Sequence, residues 1–329
     1  MIFLTTLVSV VYIIVIIQIN NYNYRGFKIS RDTKQMSVIR SEPLSGEEIL
    51  EFSKNGFLLP GQIFPQDTIE KMRSSLTAAQ ASEHEVGREY DLLDPAAWPT
   101  KDKEQQPQPG KNVGFLFNLW LWNKEWREFC FNPTLAHWAS QLIGVRQVRL
   151  LEDNALYKAP KTGGTLKWHQ DHPYWPLAQA NAVTAWVALD DVYLENGAMQ
   201  MAVGSHLLGE RLPAVFGTGT PYLQEMRPST VKPMEDPTEQ GLDIQTIELK
   251  AGEVSIHHAL TWHASGPNET DQPRRACIAR YVGDGTIWLG SRRYEYNYSD
   301  KEVGIKIGQP IEGRYFPLIP FKSMTETHK

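Results

Sequence analysis

The chain has 329 residues, of which 41% are apolar and 11% aromatic, a formal net charge of −5 and two cysteines. That composition supplies a substantial core for one large domain or two small ones. The dispersed charge excludes a general nucleic-acid binder, which would carry a basic stripe, and two cysteines exclude a disulfide framework. Cys130 and Cys277 stand among apolar neighbours and read as buried free thiols of a reducing compartment.

Residues 2–19 are almost all apolar and uncharged, close to the minimum for a membrane-spanning helix. No basic segment precedes them and no small-residue cleavage site follows, which argues against a cleaved signal. Arg25, Lys28, Arg31 and Lys34 come after the run, so a helix here would leave the rest of the chain in the cytoplasm. A second reading competes with an anchor. Residues 1–35 are rich in Ile, Asn, Tyr and Lys, and an ordinary enzyme composition begins at Met36, so the segment also reads as a wrongly extended start. Under both readings residues 36–329 form the main domain.

Ser45-Gly46-Glu47-Glu48 is a capping box, and Ile49, Leu50 and Phe52 begin an apolar face that Gly56 ends. Phe57-Leu58-Leu59 is a short strand. Pro65-Gln66-Asp67 opens a second helix to about Ala78, with Ile69, Met72 and Leu76 at helical spacing. Residues 82–112 are polar and rich in Pro, Lys and Gln, an exposed segment or a lid on the substrate side. Phe115 to Trp122 is strongly apolar. Asn132-Pro133 starts a helix over Thr134 to Ile143, stopped by Gly144. Of the ten tryptophans, Trp120, Trp122, Trp126, Trp138, Trp168 and Trp175 gather in this half, mostly as core, with room for some to line an apolar pocket.

From Val145 the pattern turns to strands. Gln147–Lys158, Ala182–Asp190, Met199–Val203, Gln245–Leu249, Val254–His258 and Ala276–Val282 are β-rich, separated by turns such as Gly163-Gly164, Asn196-Gly197 and Gly252. Many short strands with turns predict a mainly β sandwich or jelly roll with flanking helices. Residues 207–243 read as a loop-like insertion over the site mouth, or as a solvated linker.

The chemistry concentrates in His169-Gln170-Asp171, His263 and Arg274. Two imidazoles and a carboxylate on one face of a mononuclear iron(II) leave the opposite face for cosubstrate and O₂. On a strand, residues i and i+2 point the same way, so His169 and Asp171 could reach one metal. Arg274 could clamp a dicarboxylate through two parallel hydrogen bonds, with Arg275 a near-equal rival. Singly each motif is weak, since a His-x-Asp pair is more often a surface ion pair and a buried His more often a satisfied core residue. Asn154 and Lys158 fall where they could reach the cosubstrate. His172, His206, His257 and His258 read as structural or supporting residues.

The surrounding blocks sharpen this. Leu156-Tyr157-Lys158-Ala159-Pro160, Trp168 to Pro176, Ala185 to Asp191, Glu195 to Met199, Gly204-Ser205-His206, Gly252 to Ser255, His257-His258 and His263 to Asn268 up to Arg274 resemble the phytanoyl-CoA dioxygenase family, in its order and near its spacing, over about residues 45–285. The resemblance implies a double-stranded β-helix of cupin-like type and an enzyme that uses iron(II), 2-oxoglutarate and O₂ on a small molecule. It implies iron on His169, Asp171 and His263, and 2-oxoglutarate against Arg274 and Ser265 with Trp186 lining its pocket. Because Asp171 is present, the halogenating variant that lacks this carboxylate is disfavoured. A non-catalytic cupin-like binding protein is the alternative, and the intact ligand set with Arg274 argues against it. A membrane-tethered interaction module would need residues 2–19 as an anchor and an empty site.

Overall fold

The computed structural model describes residues 38–81, 89–91, 113–162, 164–214, 229–290, 298 and 300–321. The expectations for residues 1–35, for most of 82–112 and for the middle of 207–243 lie outside them. Residues 38–329 make one unit, separate from residues 1–37. Among the described residues no helix is long and apolar enough to cross a membrane.

The capping box works as the sequence predicts. Ser45 Oγ accepts from Glu48 N at 3.2 Å, and Glu48 accepts from Ser45 N at 2.8 Å. They start α1 (Gly46–Asn55), and Gly56 at φ 84° closes it in a conformation that favours glycine. Strand β1 (Phe57–Gln62) follows, then α2 (Gln66–Gln80), which buries Ile69, Met72 and Leu76. After β2 (Glu89–Asp91) and β3 (Val113–Phe117) comes α3 (Lys124–Cys130), a helix the periodicity did not reveal; Asn123 caps it. In α4 (Pro133–Ile143) Asn132 is the cap, Pro133 takes the first turn and Gly144 ends it at φ 77°.

The remaining strands are β4 (Val148–Lys158), β5 (Leu166–His169), β6 (Ala182–Ala188), β7 (Met199–Ala202), β8 (Ile244–Ile247), β9 (Glu253–His258), β10 (His263–Ser265) and β11 (Arg274–Gly283). They form a seven-stranded sheet in the order β1-β9-β6-β11-β4-β3-β2 and a four-stranded sheet in the order β5-β10-β7-β8. All named strand pairings are antiparallel. This is the jelly roll expected from the sequence.

Strand alternation sorts the large sheet into two faces. Odd residues of β6 and β11, such as Val183, Ala185, Val187, Cys277 and Ala279, pack with Phe52, Met72, Trp126 and Trp138 under the helices. Even residues, Trp186, Ala188, Ala276 and Ile278, meet Met199, Met201 and Ile247 of the small sheet. A third cluster, with Trp175, Leu177, Trp288, Ile311 and Phe316, forms around the segment after Asp171. Trp120, Trp126 and Trp138 therefore serve the core on the helix side. The tryptophan between the sheets is Trp186.

Candidate active site

Both predicted histidine ligands lie on the short strands β5 and β10, which the sequence pattern did not separate from turns. His263 and His169 are direct partners in the β10–β5 pairing, and their ring centroids are 4.0 Å apart. Asp171 is not on a strand, as the i, i+2 reasoning assumed. Its backbone is helical, at φ −73° and ψ −44°, and it leads into a 3₁₀ turn over His172–Tyr174. Proline at 173 favours that turn and ends the strand after His169.

The turn is tied down from several sides. His172 N donates to Ala259 O at 2.9 Å. Gln170 is wholly buried; its Nε2 donates to Leu260 O at 2.8 Å and to Gly209 O at 2.9 Å, and its oxygen accepts from Arg211 N at 2.7 Å. The residue between His169 and Asp171 thus fastens the motif to the segments before His263 and after β7.

Ligand atoms of His169, Asp171 and His263 lie within 4.8 Å of one another, and all three residues are buried. His263 Nε2 is 3.7 Å from Asp171 Oδ1. Each imidazole turns Nδ1 to the carbonyl two residues back, His169 to Lys167 at 2.7 Å and His263 to Thr261 at 3.0 Å. A proton on Nδ1 donates to that carbonyl and leaves the Nε2 lone pair for a metal. Burial, with the neighbouring imidazoles, holds His263 well below the ordinary imidazole range, and burial lowers His169 as well. For Asp171 burial pulls upward. The charge of Arg280, with His257 and His263, outweighs it and holds the carboxyl well below its usual range. The set is thus two neutral imidazoles and a carboxylate, the donors an iron(II) facial triad requires.

Arg274 begins β11 and is paired with Lys158 of β4. Its guanidinium sits 5.5 Å over the Trp186 ring, and Nη2 donates to Gly197 O at 2.6 Å. Nε and Nη1 are buried with no hydrogen-bond partner. Burial lowers Arg274 to about 9, so it stays charged at neutral pH. An unpartnered buried guanidinium edge is costly, and an anion would relieve it. Lys158 is equally buried; its Nζ donates to Ser265 Oγ at 2.8 Å and to Gly266 O. Burial and the charge of Arg274 push it down to about 6.

Arg275 turns to the other face. Its Nε and Nη2 each reach a different Asp190 oxygen at 2.8 Å, so its guanidinium already has a carboxylate. Asn154 lies on the inner face opposite Ile278, with both amide atoms buried and unpartnered. His206 and His258 pack against each other at 5.4 Å. His257 instead faces the triad, its ring centroid 4.6 Å from that of His263. With Thr184 and Arg280 it lines the same pocket as the triad, a role the sequence reading did not give these three. The signal for them was parity: Thr184 and Trp186 share a face of β6, as Arg274 and Arg280 do of β11.

The profile of the family described as phytanoyl-CoA dioxygenase (PhyH) matches residues 52–276. A probable alpha-ketoglutarate-dependent hypophosphite dioxygenase of Stutzerimonas stutzeri is 30% identical over 148 residues, 45% of this chain and 50% of that protein. A phytanoyl-CoA dioxygenase of Arabidopsis thaliana is 28% identical over 164 residues, 50% of this chain and 54% of that protein. The chain thus spans about half the length of these curated relatives. Among solved structures, the epimerase SnoN in complex with Fe3+, alpha ketoglutarate and nogalamycin RO shares the fold, with a TM-score of 0.64 and 23% identity over 83% of this chain and 98% of the other. On the profile match, which covers more than half its length, the chain belongs to the phytanoyl-CoA dioxygenase family.

Proposed function

We propose that the protein is a non-haem iron(II)- and 2-oxoglutarate-dependent dioxygenase that hydroxylates a small molecule or lipid-like metabolite. The observation that carries this is one pocket holding both parts of such a site: the buried group His169, Asp171 and His263, and the unpartnered guanidinium edge of Arg274. When bound, iron and 2-oxoglutarate supply the oxidation, in which O₂ gives one oxygen atom to succinate, formed with CO₂, and the other to the substrate.

The chain's own residues do the rest. His169 and His263 present Nε2, and Asp171 a carboxylate oxygen, to hold the metal. Arg274 would hold the far carboxylate of the cosubstrate through Nε and Nη1, Ser265 would offer its hydroxyl there, and Trp186 would form an apolar wall. Phe115, Leu156, Leu166, Met199 and Ile278 line the same pocket; they keep water from the reacting atoms and strengthen every charge interaction inside. The buried free thiols Cys130 and Cys277 support a reducing, cytoplasmic setting for residues 36–329. A chain begun at Met36 keeps every described helix and strand, so it should bind metal and cosubstrate like the full chain.

The test is substrate-independent turnover. Purified protein given iron(II), 2-oxoglutarate and O₂ should form succinate slowly, and faster with a true substrate, and the iron and 2-oxoglutarate form should show a visible absorption band without O₂. Protein that forms neither the band nor succinate would favour a non-catalytic binding role.

A further inference from the structure

One cross-strand row of the large sheet lies beside Asp171 and is unlike the rows around it. Arg280 of β11 is paired with Glu152 of β4 and with Thr184 of β6, and Thr184 is paired with His257 of β9. Four neighbouring strands therefore send Glu152, Arg280, Thr184 and His257 to the inner face, where the next row holds Asn154, Ile278, Trp186 and Ser255. All four members of the polar row are buried. Burying such groups is expensive, and a buried ion pair is weak support for a fold compared with apolar side chains of the same volume.

Three of the four converge on one atom. Thr184 Oγ1 donates to Asp171 Oδ2 at 2.5 Å, His257 Nε2 lies 3.4 Å from the same oxygen and Arg280 Nε 3.6 Å from it. Glu152 holds Arg280 from behind at 3.0 Å, and Trp175 lies 5.7 Å below the guanidinium. At this point β4 bulges: the register jumps from Glu152 to Leu150 between Arg280 and Tyr281. A bulge re-aims side chains at a functional site. The other oxygen, Oδ1, is the one His263 faces.

We infer that Thr184, His257 and Arg280 are positioning residues that hold Oδ2 of Asp171, so that the carboxylate offers Oδ1 alone to the metal. This rests on His169, Asp171 and His263 being the ligands. A carboxylate free at both oxygens can chelate and fill two coordination positions. With one oxygen held, His169, Asp171 and His263 would supply three donors and leave room for a two-oxygen cosubstrate and O₂. His257 belongs to this support and not to the ligand set: it is not in the group whose atoms lie within 4.8 Å of one another, and it approaches Oδ2.

The experiment compares Thr184→Val, which keeps the shape and removes the hydroxyl, with Thr184→Ser, which keeps the hydroxyl, and His257→Phe, which keeps a ring and removes its nitrogens. Iron affinity is measured without O₂ by competition with a chelator, the visible band of the iron and 2-oxoglutarate form is recorded, and circular dichroism reports the fold. Removing partners of metal ligands costs about 10–100-fold in metal affinity, so Thr184→Val should weaken iron by that factor and move the band. Thr184→Ser should return near wild type, and His257→Phe should lose about tenfold. Wild-type affinity in both Thr184→Val and His257→Phe would overturn the inference. So would a Thr184→Ser loss as large as that of Thr184→Val, or a His257→Phe loss as large as that of His263→Ala. If Thr184→Val does not fold, His257→Phe decides alone by the same criterion. Wild-type protein that takes up no iron would overturn the ligand assignment, and with it this inference.

Discussion

At one end of the pocket the proposed ligand atoms are already aimed: the Nδ1 atoms of His169 and His263 are held by carbonyls, and Asp171 Oδ2 by Thr184. At the other end two guanidinium nitrogens of Arg274 are buried with no partner, and Lys158 is buried beside them. One end is organised by the protein's own hydrogen bonds, and the other keeps part of a buried guanidinium that an incoming anion would complete. The first end should therefore fail outright when His169, Asp171 or His263 is removed. The second should weaken by degrees and leave the metal in place.

The largest effect is expected at the organised end. His169→Ala, Asp171→Ala and His263→Ala should each lose most bound iron and all substrate-dependent succinate, because two remaining ligands hold the ion poorly. Metal analysis after desalting, beside a succinate assay, checks this. A variant of His263 that kept iron and turnover would move the distal ligand to another histidine.

Arg274→Ala probes the other end. Truncating one partner of a buried charge pair costs about 2–5 kcal/mol, or roughly thirty- to several-thousand-fold in affinity. The 2-oxoglutarate requirement should rise by that order while iron stays bound. Arg275→Ala removes two bonds to Asp190 on the opposite face, so it should lower the melting temperature and change the 2-oxoglutarate requirement far less. Equal effects of the two variants would erase the distinction between the faces.

Gly197 joins the two predictions. It sits at φ 80°, and a Cβ there would meet Gly266 O at 2.7 Å and Lys158 Nζ at 3.2 Å. Its own carbonyl accepts from Arg274 Nη2. Gly197→Ala should place a strain of about 1–3 kcal/mol on this end alone. Weaker 2-oxoglutarate binding with unchanged iron affinity is the expected pair of readings, and loss of iron would show that the two ends are mechanically coupled.

How much of this was legible beforehand follows from range. The capping box at Ser45, the stops at Gly56 and Gly144 and the strand runs from Val148 to Gly283 are local signals, and the folded chain uses them. Strands β5 and β10 are only four and three residues long, too short to show a period of their own. Their existence depends on pairing His169 with His263 across the chain. The same holds for the reach of Asp171, which comes from a 3₁₀ turn and not from strand alternation. Thr184 and Arg280 lie in none of the matched blocks, the His257-His258 block does not say which histidine faces the site, and the register of β4, β11, β6 and β9 gathers the three. Arg274 and Arg275 are adjacent in sequence, where spacing from His263 alone favours Arg274, and the face of β11 on which each stands separates them.

Lys158 gives the smallest and most specific test of the comparison. Burial and the charge of Arg274 lower it to about 6, so near pH 8 the free protein holds it as a neutral amine. A carboxylate arriving beside it favours the ammonium and raises its pKa in the complex. Binding therefore takes up a proton. The gain is complete below about pH 6, where the free protein already carries the charge, and is lost as pH rises through the higher value of the complex. Affinity of the iron-loaded protein for 2-oxoglutarate should fall with rising pH above 6, by no more than about tenfold per pH unit for one proton. Lys158→Met should flatten that slope and weaken binding more at pH 6 than at pH 8, with iron affinity unchanged. Titrations across this range on both proteins decide it. Parallel profiles would mean that the amine never gains its proton in the complex, and that Arg274 alone answers the anion's charge.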